Sequence, residues 1–229
     1  MRIEDEWPST HPDRLQLYSL NTPNGIKIGF ALEEIELDYE AHRIDIMSGD
    51  QHKPAFLTVS PNGKIPAIVD PDGPGGKRLE LAESGAILLW LAEKTGRLLP
   101  KDPIARLDTI QWMLTQVGHF GPMFGQFGHF HKFARETCDH PYPLDRYRKE
   151  SKRLLGVLES RLSDGRAHLM GDELTIADVA TVPWVEVLGG FYEATEELDL
   201  PSFEKVNGWV ERVTSRPSYE RGKNVTPFG

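Results

Sequence analysis

The spacing of hydrophobic residues in the first hundred positions switches repeatedly between the period of a strand and that of a helix. Short apolar runs bounded by turn residues predict strands, and apolar residues three and four apart predict helices. The predicted order is strand, helix, strand, short helix, strand, strand, helix, over residues 15–19, 25–36, 38–46, 54–59, 65–69, 77–81 and 84–94. The last helix is expected to end at Gly96, since glycine is favoured just beyond a helix C-terminus.

The order β-α-β-α-β-β-α is that of a thioredoxin-like domain. Its first half is a parallel crossover unit, and its second half is an antiparallel hairpin around a turn at 70–76 that is rich in Gly, Pro and Asp. Residues 1–14 precede the first strand and are charged and proline-containing, so we interpret them as an N-terminal extension. The domain itself is expected to cover residues 15–98.

Beyond residue 98 the pattern becomes helical, and no convincing strand follows. Helical spacing fills residues 104–133, 143–162, 176–191 and 203–215. Thr175 and Asp178 have the spacing of a capping box at the start of the third of these helices. The predicted fold class is therefore α/β plus all-α, with a thioredoxin-like domain followed by a C-terminal helical bundle domain at 104–229.

Composition narrows the choice of partners and compartment. The chain of 229 residues has a formal net charge of -9, which argues against a nucleic-acid partner. Its single cysteine, Cys138, excludes an intrachain disulfide framework and is typical of a reducing compartment. No apolar run is long enough to span a bilayer, and residues 1–13 lack the apolar core of a secretory signal. We therefore expect a cytoplasmic protein without a nucleic-acid or membrane partner.

Two short segments carry most of the chemistry in the predicted N-terminal domain. Ile65-Pro66 stands at the mouth of an apolar strand, and Glu83-Ser84 stands where a strand gives way to a helix. The backbone of Ile65 can pair with an extended peptide, and a helix N-terminus can bind the carboxylate of that peptide. In thioredoxin-like domains the proline in this place follows a cis bond, whereas base rates alone favour a trans proline at a strand edge.

Glu83 and Ser84 offer partners for opposite charges. Ser84 is expected to cap the helix, so that its hydroxyl and the first N–H groups receive an anion, while Glu83 receives an ammonium group. The plain alternative is a serine cap beside a solvated glutamate. Together with Ile65-Pro66, the pair resembles the glutathione site of glutathione transferases, whose ligand carries both charges on its γ-glutamyl end.

The turn after the first strand, Thr-Pro-Asn-Gly at 22–25, lies where a glutathione transferase stabilises the glutathione thiolate. A free thiol has a pKa of about 8.5, and hydrogen-bond donors and a helix N-terminus would lower it. Thr22 and Asn24 are suitable donors, although they would serve equally well as plain turn and cap residues. Tyr18 and Ser19 rank lower, because Tyr18 lies within the strand and Ser19 comes too early to head the helix. The turn has no cysteine, which argues against glutaredoxin-like chemistry.

Over residues 15–217 the chain resembles the nu-class glutathione transferases, the bacterial glutathione-dependent disulfide-bond reductases. The shared motifs are Thr-Pro-Asn-Gly at 22–25, Lys-Ile-Pro at 64–66, Glu-Ser-Gly-Ala-Ile at 83–87, Gln-Trp at 111–112, Gln-Val-Gly at 116–118, Gly-Pro-Met at 121–123 and Gly-Gln at 125–126. The resemblance implies that Thr22 and Asn24 contact the glutathione sulfur. It implies further glutathione contacts at Gln51, Lys64, Ile65, Pro66, Glu83, Ser84 and Arg146. The extension and the loop 136–141 depart from the family pattern.

The first helix of the helical domain contains a stripe of glycines at 118, 121, 125 and 128, which would share one face. Each weakens a helix by about 1 kcal/mol relative to alanine, so close helix approach or room for a ligand is expected to compensate. Phenylalanines at 120, 124, 127 and 130 add aromatic surface, for which core packing is an equal alternative. In the resembled family this helix flanks the active-site cleft and contributes to a homodimer interface. The histidines at 119, 129, 131 and 140 lack metal-site spacing, and no metal is expected.

The expected function is that of a glutathione-dependent thiol–disulfide oxidoreductase without a redox cysteine of its own. Reduced glutathione would be the cosubstrate, oxidised glutathione the product, and a disulfide the second substrate. Two alternatives remain open at this point. One is a transferase that conjugates glutathione to electrophiles, and the other is a non-enzymatic glutathione-binding regulator.

Overall fold

The computed structural model describes residues 2–228, which form two compact units. One unit extends to Arg97 and includes the segment that begins at Pro217, and the other is Leu98–Arg216. The first contains the sheet, and the second is built from helices. The predicted fold class, a thioredoxin-like domain followed by a helical domain, is confirmed.

The first unit is organised around a four-stranded sheet. Its strands are β1 (Leu15–Ser19), β2 (Tyr39–Arg43), β3 (Ala67–Asp70) and β4 (Leu79–Ala82), in the spatial order β2-β1-β3-β4. Strand β1 pairs parallel with β2 and antiparallel with β3, and β3 pairs antiparallel with β4. The crossover and the hairpin are therefore those predicted. Strand β3 begins at Ala67, two residues later than expected, because Pro66 has no N–H to give to a ladder.

The helices of both units follow the predicted order closely. They are α1 (Pro23–Ile35), α2 (Pro54–Leu57), α3 (Ser84–Thr95), α4 (Pro103–Thr115), α5 (Gly121–Gly128), α6 (Pro141–Arg161), α7 (Ile176–Gly189), α8 (Thr195–Leu198), α9 (Glu204–Thr214) and α10 (Pro217–Lys223). Helix α3 ends at Gly96 with φ 68°, as predicted. The short helices α8 and α10 were not expected. Within the described residues, no helix combines the length and the apolarity needed to cross a membrane.

The register of the sheet brings three chain segments to one end of it. Tyr18 of β1 pairs with Ala67 of β3, and Ala67 pairs with Ala82 of β4. The chain leaves β1 after Ser19, enters β3 from Pro66 and leaves β4 towards Glu83. Since β1 and β4 both run antiparallel to β3, these three points lie side by side.

The N-terminal extension folds back onto this sheet. Residues Ile3–Asp5 form a 3-10 turn in which Ile3 is fully buried. The Trp7 ring lies edge-on to Tyr18 and to Phe56 of α2, with ring centroids 6.5 and 6.3 Å away. The extension therefore adds apolar cover between the sheet and α2.

The end of the chain packs with the first unit rather than with the helical domain, in which the sequence analysis placed it. Helices α1 and α10 meet backbone to backbone, since a Cβ at Gly29 would lie 2.3 Å from the Gly222 carbonyl oxygen. Beside this contact, the rings of Phe30 and Tyr219 meet edge-on with centroids 5.1 Å apart. This close approach requires glycines that are far apart in sequence, and a periodicity analysis does not pair them.

In the second unit, α4 and α5 belong to one helical stretch. One π-helical turn, Gln116–Phe120, lies between them, and a second, His129–Phe133, ends the stretch after α5. Its buried phenylalanines are Phe120, Phe124 and Phe127, so core packing accounts for them. Two of the four stripe glycines make room for aromatic rings. A Cβ would lie 3.2 Å from the Trp184 ring at Gly125 and 2.2 Å from the Tyr192 ring at Gly128. At Gly121 it would lie 2.7 Å from the side-chain nitrogen of Gln116.

The capping box at the start of α7 is confirmed. Thr175 Oγ1 accepts the Ala177 N–H, and Asp178 accepts the Thr175 N–H at 3.0 Å. The fully buried Asp178 carboxylate also accepts the Leu169 N–H and the Trp209 indole N–H, at 2.7 and 2.9 Å. One carboxylate thus joins the start of α7, the preceding loop and α9.

Gly222→Ala is predicted to destabilise the protein by about 1–3 kcal/mol, because the new methyl group would overlap the backbone of Phe30, whose nitrogen is 2.4 Å away. Urea unfolding would measure the free-energy change. Gly208→Ala in α9 is the matched control, because nothing lies within 4 Å of its Cβ position. The control should be neutral or stabilise by up to about 1 kcal/mol. Equal effects of the two substitutions would contradict the close approach.

Candidate functional site

The candidate site lies at the end of the sheet where β1, β3 and β4 come side by side. Helix α1 starts four residues after β1 ends, and α3 starts two residues after β4 ends. Both helices therefore direct their first N–H groups towards this end of the sheet. Such groups attract anions through unsatisfied hydrogen bonds and the helix dipole.

Thr22 is the N-cap residue of α1. Its Oγ1 accepts the Gly25 N–H at 3.3 Å, and its carbonyl accepts the Ile26 N–H at 2.8 Å. The Thr22 hydroxyl proton is not used in this cap, so it can be donated to another acceptor. Asn24 lies half-buried in the first turn, beyond the Pro23 that begins the helix. Both predicted donors thus stand at the start of α1.

The peptide bond between Ile65 and Pro66 is cis, as predicted. Ile65 is half-buried and Lys64 is exposed. The buried Ser60 holds the backbone ahead of this bond, because its Oγ donates to the Lys64 carbonyl at 2.7 Å and accepts the Lys64 N–H at 3.3 Å. Ser60 therefore fixes the segment that was expected to pair with an extended peptide.

The prediction that Ser84 caps α3 is wrong. Ser84 is the first helical residue, and the cap position falls on Glu83, which makes no capping hydrogen bond. Glu83 has φ 70° and ψ 111°, an uncommon conformation for a residue other than glycine. The first turn of α3 is therefore left without a side-chain cap. Ser84 is buried, and its hydroxyl oxygen is turned to a different partner.

That partner is Lys27 of α1, which the sequence analysis did not identify. Lys27 is 1% exposed, and its Nζ donates to Ser84 Oγ at 3.2 Å. Burial lowers the pKa of Lys27 to about 7, and the negative charge of Glu83 opposes this shift. The spacing in the sequence indicates its helix face, because Lys27 follows Asn24 by three residues, but this spacing does not indicate that the side chain is buried.

The remaining predicted residues lie on other elements. Gln51 is in the 3-10 turn Asp50–His52 beyond β2, and its Nε2 donates to the Ile46 carbonyl at 3.3 Å. Arg146 is exposed on α6 in the second unit. The sheet end in the first unit thus brings together Thr22, Asn24, Ile65, Pro66, Glu83 and Ser84.

The lower-ranked hydroxyl candidates are parts of the core. Tyr18 and Ser19 are fully buried in β1. Burial raises the pKa of Tyr18, and its ring stacks on His42 with centroids 4.6 Å apart. Cys138 is a partly exposed free thiol in a turn of the second unit. Among residues 2–228, no cluster of three or more His, Cys, Asp or Glu side chains is arranged to hold a metal ion.

Both parts of the chain match family models. Residues 23–94 match the glutathione S-transferase N-terminal domain, and residues 120–217 match the glutathione S-transferase C-terminal domain. The chain belongs to the glutathione S-transferase family. The resemblance inferred from the sequence motifs is confirmed by these matches.

Among curated proteins, the chain is similar to the disulfide-bond oxidoreductase YfcG of Escherichia coli (strain K12). The two are 46% identical over 205 residues, which cover 89% of this chain and 92% of the relative. A second relative from the same strain, the disulfide-bond oxidoreductase YghU, is 42% identical over 94% of this chain and 75% of its own length.

Among solved structures, the chain is similar to a glutathione transferase from Pseudomonas putida with one glutathione disulfide bound per subunit. The TM-score is 0.94 and the sequence identity is 50%, and the match covers 96% of this chain and 95% of the relative.

Thr22→Ala is predicted to destabilise this glutathione S-transferase family member by about 1 kcal/mol, because it removes the side-chain cap of α1. Thr22→Ser keeps an acceptor in place and should retain most of the stability. Urea unfolding without ligand would compare the two variants. A threonine-to-alanine cost below about 0.3 kcal/mol would show that the cap seen in the structure contributes little.

Proposed function

We propose that this protein is a glutathione-dependent thiol–disulfide oxidoreductase that supplies no redox cysteine. The observation that carries the proposal is the meeting of two helix starts and the cis Ile65-Pro66 bond at one sheet end. It is supported by the names of the relatives, which are disulfide-bond oxidoreductases 42% and 46% identical to this chain. The glutathione disulfide in the Pseudomonas putida relative is the product that such a reaction would release.

In this proposal, the first unit binds glutathione as an extended peptide. The backbone of Ile65 pairs with the cysteinyl backbone of the ligand. The carboxylate of the γ-glutamyl end binds Ser84 and the uncapped first turn of α3, where the helix dipole favours an anion. Glu83 receives the γ-glutamyl ammonium group.

Four further residues complete the proposed contacts with glutathione. Gln51 offers a side-chain amide, and Lys64 and Arg146 offer positive charge suited to carboxylates. Pro66 shapes the backbone beside Ile65. These roles follow the family pattern, and each one is a proposal for this chain.

Thr22 and Asn24 would stabilise the glutathione thiolate. The Thr22 hydroxyl proton is available for donation, and the start of α1 contributes positive potential at the same place. Both effects favour the charged form of the thiol and lower its pKa from about 8.5. A larger fraction of bound glutathione would then be nucleophilic at neutral pH.

The proposed reaction has two exchange steps. The bound thiolate attacks one sulfur of the disulfide substrate, so that a new S–S bond forms and the second sulfur leaves as a thiolate. A second glutathione thiolate then attacks the glutathione sulfur of the mixed disulfide. Oxidised glutathione forms, and the remaining substrate sulfur leaves as a thiolate that takes up a proton. Two glutathiones are oxidised for each disulfide reduced.

A second glutathione in the site agrees with a further relative. A glutathione transferase from Burkholderia graminis holds two glutathione molecules per subunit, and it is 52% identical with a TM-score of 0.95, over 97% of this chain and 92% of the relative. We infer that this protein also binds two glutathiones during turnover. Conjugation of glutathione to electrophiles is the second candidate function, because it uses the same thiolate.

We also propose that the protein is a homodimer in the cytoplasm. Ile104, Leu107 and Leu114 are 80%, 67% and 55% exposed on α4. Their spacing of three and seven places them on one helix face. A second copy of the chain would bury this apolar face. The proposed cytoplasmic location rests on a different feature, because a single cysteine is typical of proteins in a reducing compartment.

Asn24→Ala is predicted to lower kcat for a small disulfide by about 10- to 100-fold, because a hydrogen bond to a charged group is lost. Measured at acidic pH, where bound glutathione is mainly the neutral thiol, its affinity should change by less than about threefold, because the lost contact is made to the thiolate. The assay couples oxidised glutathione to glutathione reductase and follows NADPH consumption. Calorimetry measures glutathione binding.

Cys138→Ala is the control for Asn24→Ala and should retain full activity, because the nucleophile is glutathione. Loss of activity in the control would show that a protein thiol takes part. An equal loss of affinity and turnover in Asn24→Ala would contradict the thiolate role. Wild-type activity no higher than the uncatalysed rate would contradict the oxidoreductase proposal, and an aryl halide would then test conjugation.

Leu107→Glu is predicted to shift the protein from dimer to a monomer of 25.8 kDa, because it places a charge in the proposed apolar interface. Met47→Glu, at another exposed apolar residue, should remain dimeric. Light scattering after size-exclusion chromatography would report both masses. A wild-type monomer, or a dimeric Leu107 variant, would overturn this interface.

A further inference from the structure

A buried lysine lies beneath the start of α3. Lys27 belongs to α1 and follows Asn24 by one helical turn, yet only 1% of its surface is exposed. Lysine is rarely buried to this extent, because transfer of an ammonium group out of water is costly. Its Nζ reaches across to α3 and lies 3.2 Å from Ser84 Oγ.

When Lys27 is protonated, the direction of this hydrogen bond is fixed. A protonated lysine carries three donors and no acceptor, so Ser84 Oγ must accept. The serine hydroxyl proton is then left to point away from Lys27. A serine at the first position of an uncapped helix is thereby turned into a donor, and a carboxylate needs a donor.

The charge of Lys27 also bears on the ligand. Glu83, at the cap position of α3, is the carboxylate whose field acts on the ammonium group. Burial holds the pKa of Lys27 down at about 7, so the charged and neutral forms are both populated near neutral pH in the protein without ligand. A second carboxylate arriving at Ser84 would stabilise that charged form.

We propose that Lys27 is a positioning residue for the γ-glutamyl carboxylate of glutathione, acting through Ser84. It orients the Ser84 hydroxyl proton towards the ligand and supplies buried positive charge behind it. This inference rests on the proposed glutathione site. It assigns to Lys27 a part in substrate affinity and specificity, and none in stabilising the thiolate.

The test compares Lys27→Met with wild type on two ligands. One is glutathione, and the other is 4-aminobutanoyl-cysteinylglycine, which lacks only the γ-glutamyl carboxylate. The substitution should weaken glutathione binding by about 10- to 100-fold. Binding of the analogue should change by less than about threefold. In the disulfide assay KM for glutathione should rise while kcat at saturation stays within about threefold.

Lys94→Met is the matched control. Lys94 is on the same helix as Ser84, and its Nζ lies 3.1 Å from the buried Asp70 carboxylate at the far end of α3. This substitution also removes a partly buried lysine, so it shows how much the loss of such a lysine changes ligand affinity in general. It should leave the ratio of affinities for glutathione and the analogue unchanged.

Thermal unfolding would show whether the variants fold. If Lys27→Met does not, Lys27→Gln replaces it, because glutamine keeps an N–H donor without the charge. The Gln variant should lose less glutathione affinity than the Met variant would. Its affinity for the analogue should again stay nearly unchanged. The Lys27 substitution should also be made in a Ser84→Ala protein. There it should weaken glutathione binding less than it does in the wild type, because Lys27 acts through Ser84.

The outcomes separate this inference from the proposed function. If wild type binds glutathione and reduces the disulfide, an unchanged glutathione affinity in the Lys27 variant overturns only the role of Lys27. Equal losses for both ligands would show a purely structural role and would also overturn it. A wild-type protein that binds no glutathione would overturn both proposals.

Discussion

The backbone N–H groups at the starts of α1 and α3 constrain the whole candidate site. Each helix begins with N–H groups that have no partner within the helix, and the register of β1, β3 and β4 places both starts at one end of the sheet. The two starts are satisfied differently. Thr22 caps α1 with its own side chain, whereas Glu83 offers no cap to α3. The start of α1 therefore has a side-chain cap, whereas the first turn of α3 has none.

The conformation of Glu83 is consistent with this division. A residue other than glycine at φ 70° and ψ 111° costs about 1–3 kcal/mol, which the surrounding structure must offset. Backbone strain of this kind is typical of functional positions. A helix that needed only a cap would be stabilised at lower cost by a serine or aspartate in an extended conformation. Here the backbone of Glu83 turns its own side chain out to solvent and leaves Ser84 buried against Lys27.

Much of this arrangement was predictable from local sequence patterns. The strand and helix order followed from hydrophobic periodicity, and Thr22, Ile65 and Glu83 were found because they stand at element boundaries. Lys27 was missed for a physical reason. A single lysine in an apolar helix is normally expected to extend its charge to solvent, and only the three-dimensional packing shows that it does not. The pairing of Gly29 with Gly222 is likewise a long-range contact that no local pattern encodes.

A site of this kind leaves the covalent chemistry to its cosubstrate. If the nucleophilic sulfur belongs to glutathione, the protein contributes position and electrostatic potential, and both depend on where the ligand charges are held. The thiolate would be held at the start of α1, and the carboxylate at the start of α3. Lys27 rises from the first helix and ends at the second, so one side chain links the two binding ends. A displacement of the start of α1 would then alter the position of the sulfur, and a displacement of the start of α3 would alter the affinity for the carboxylate.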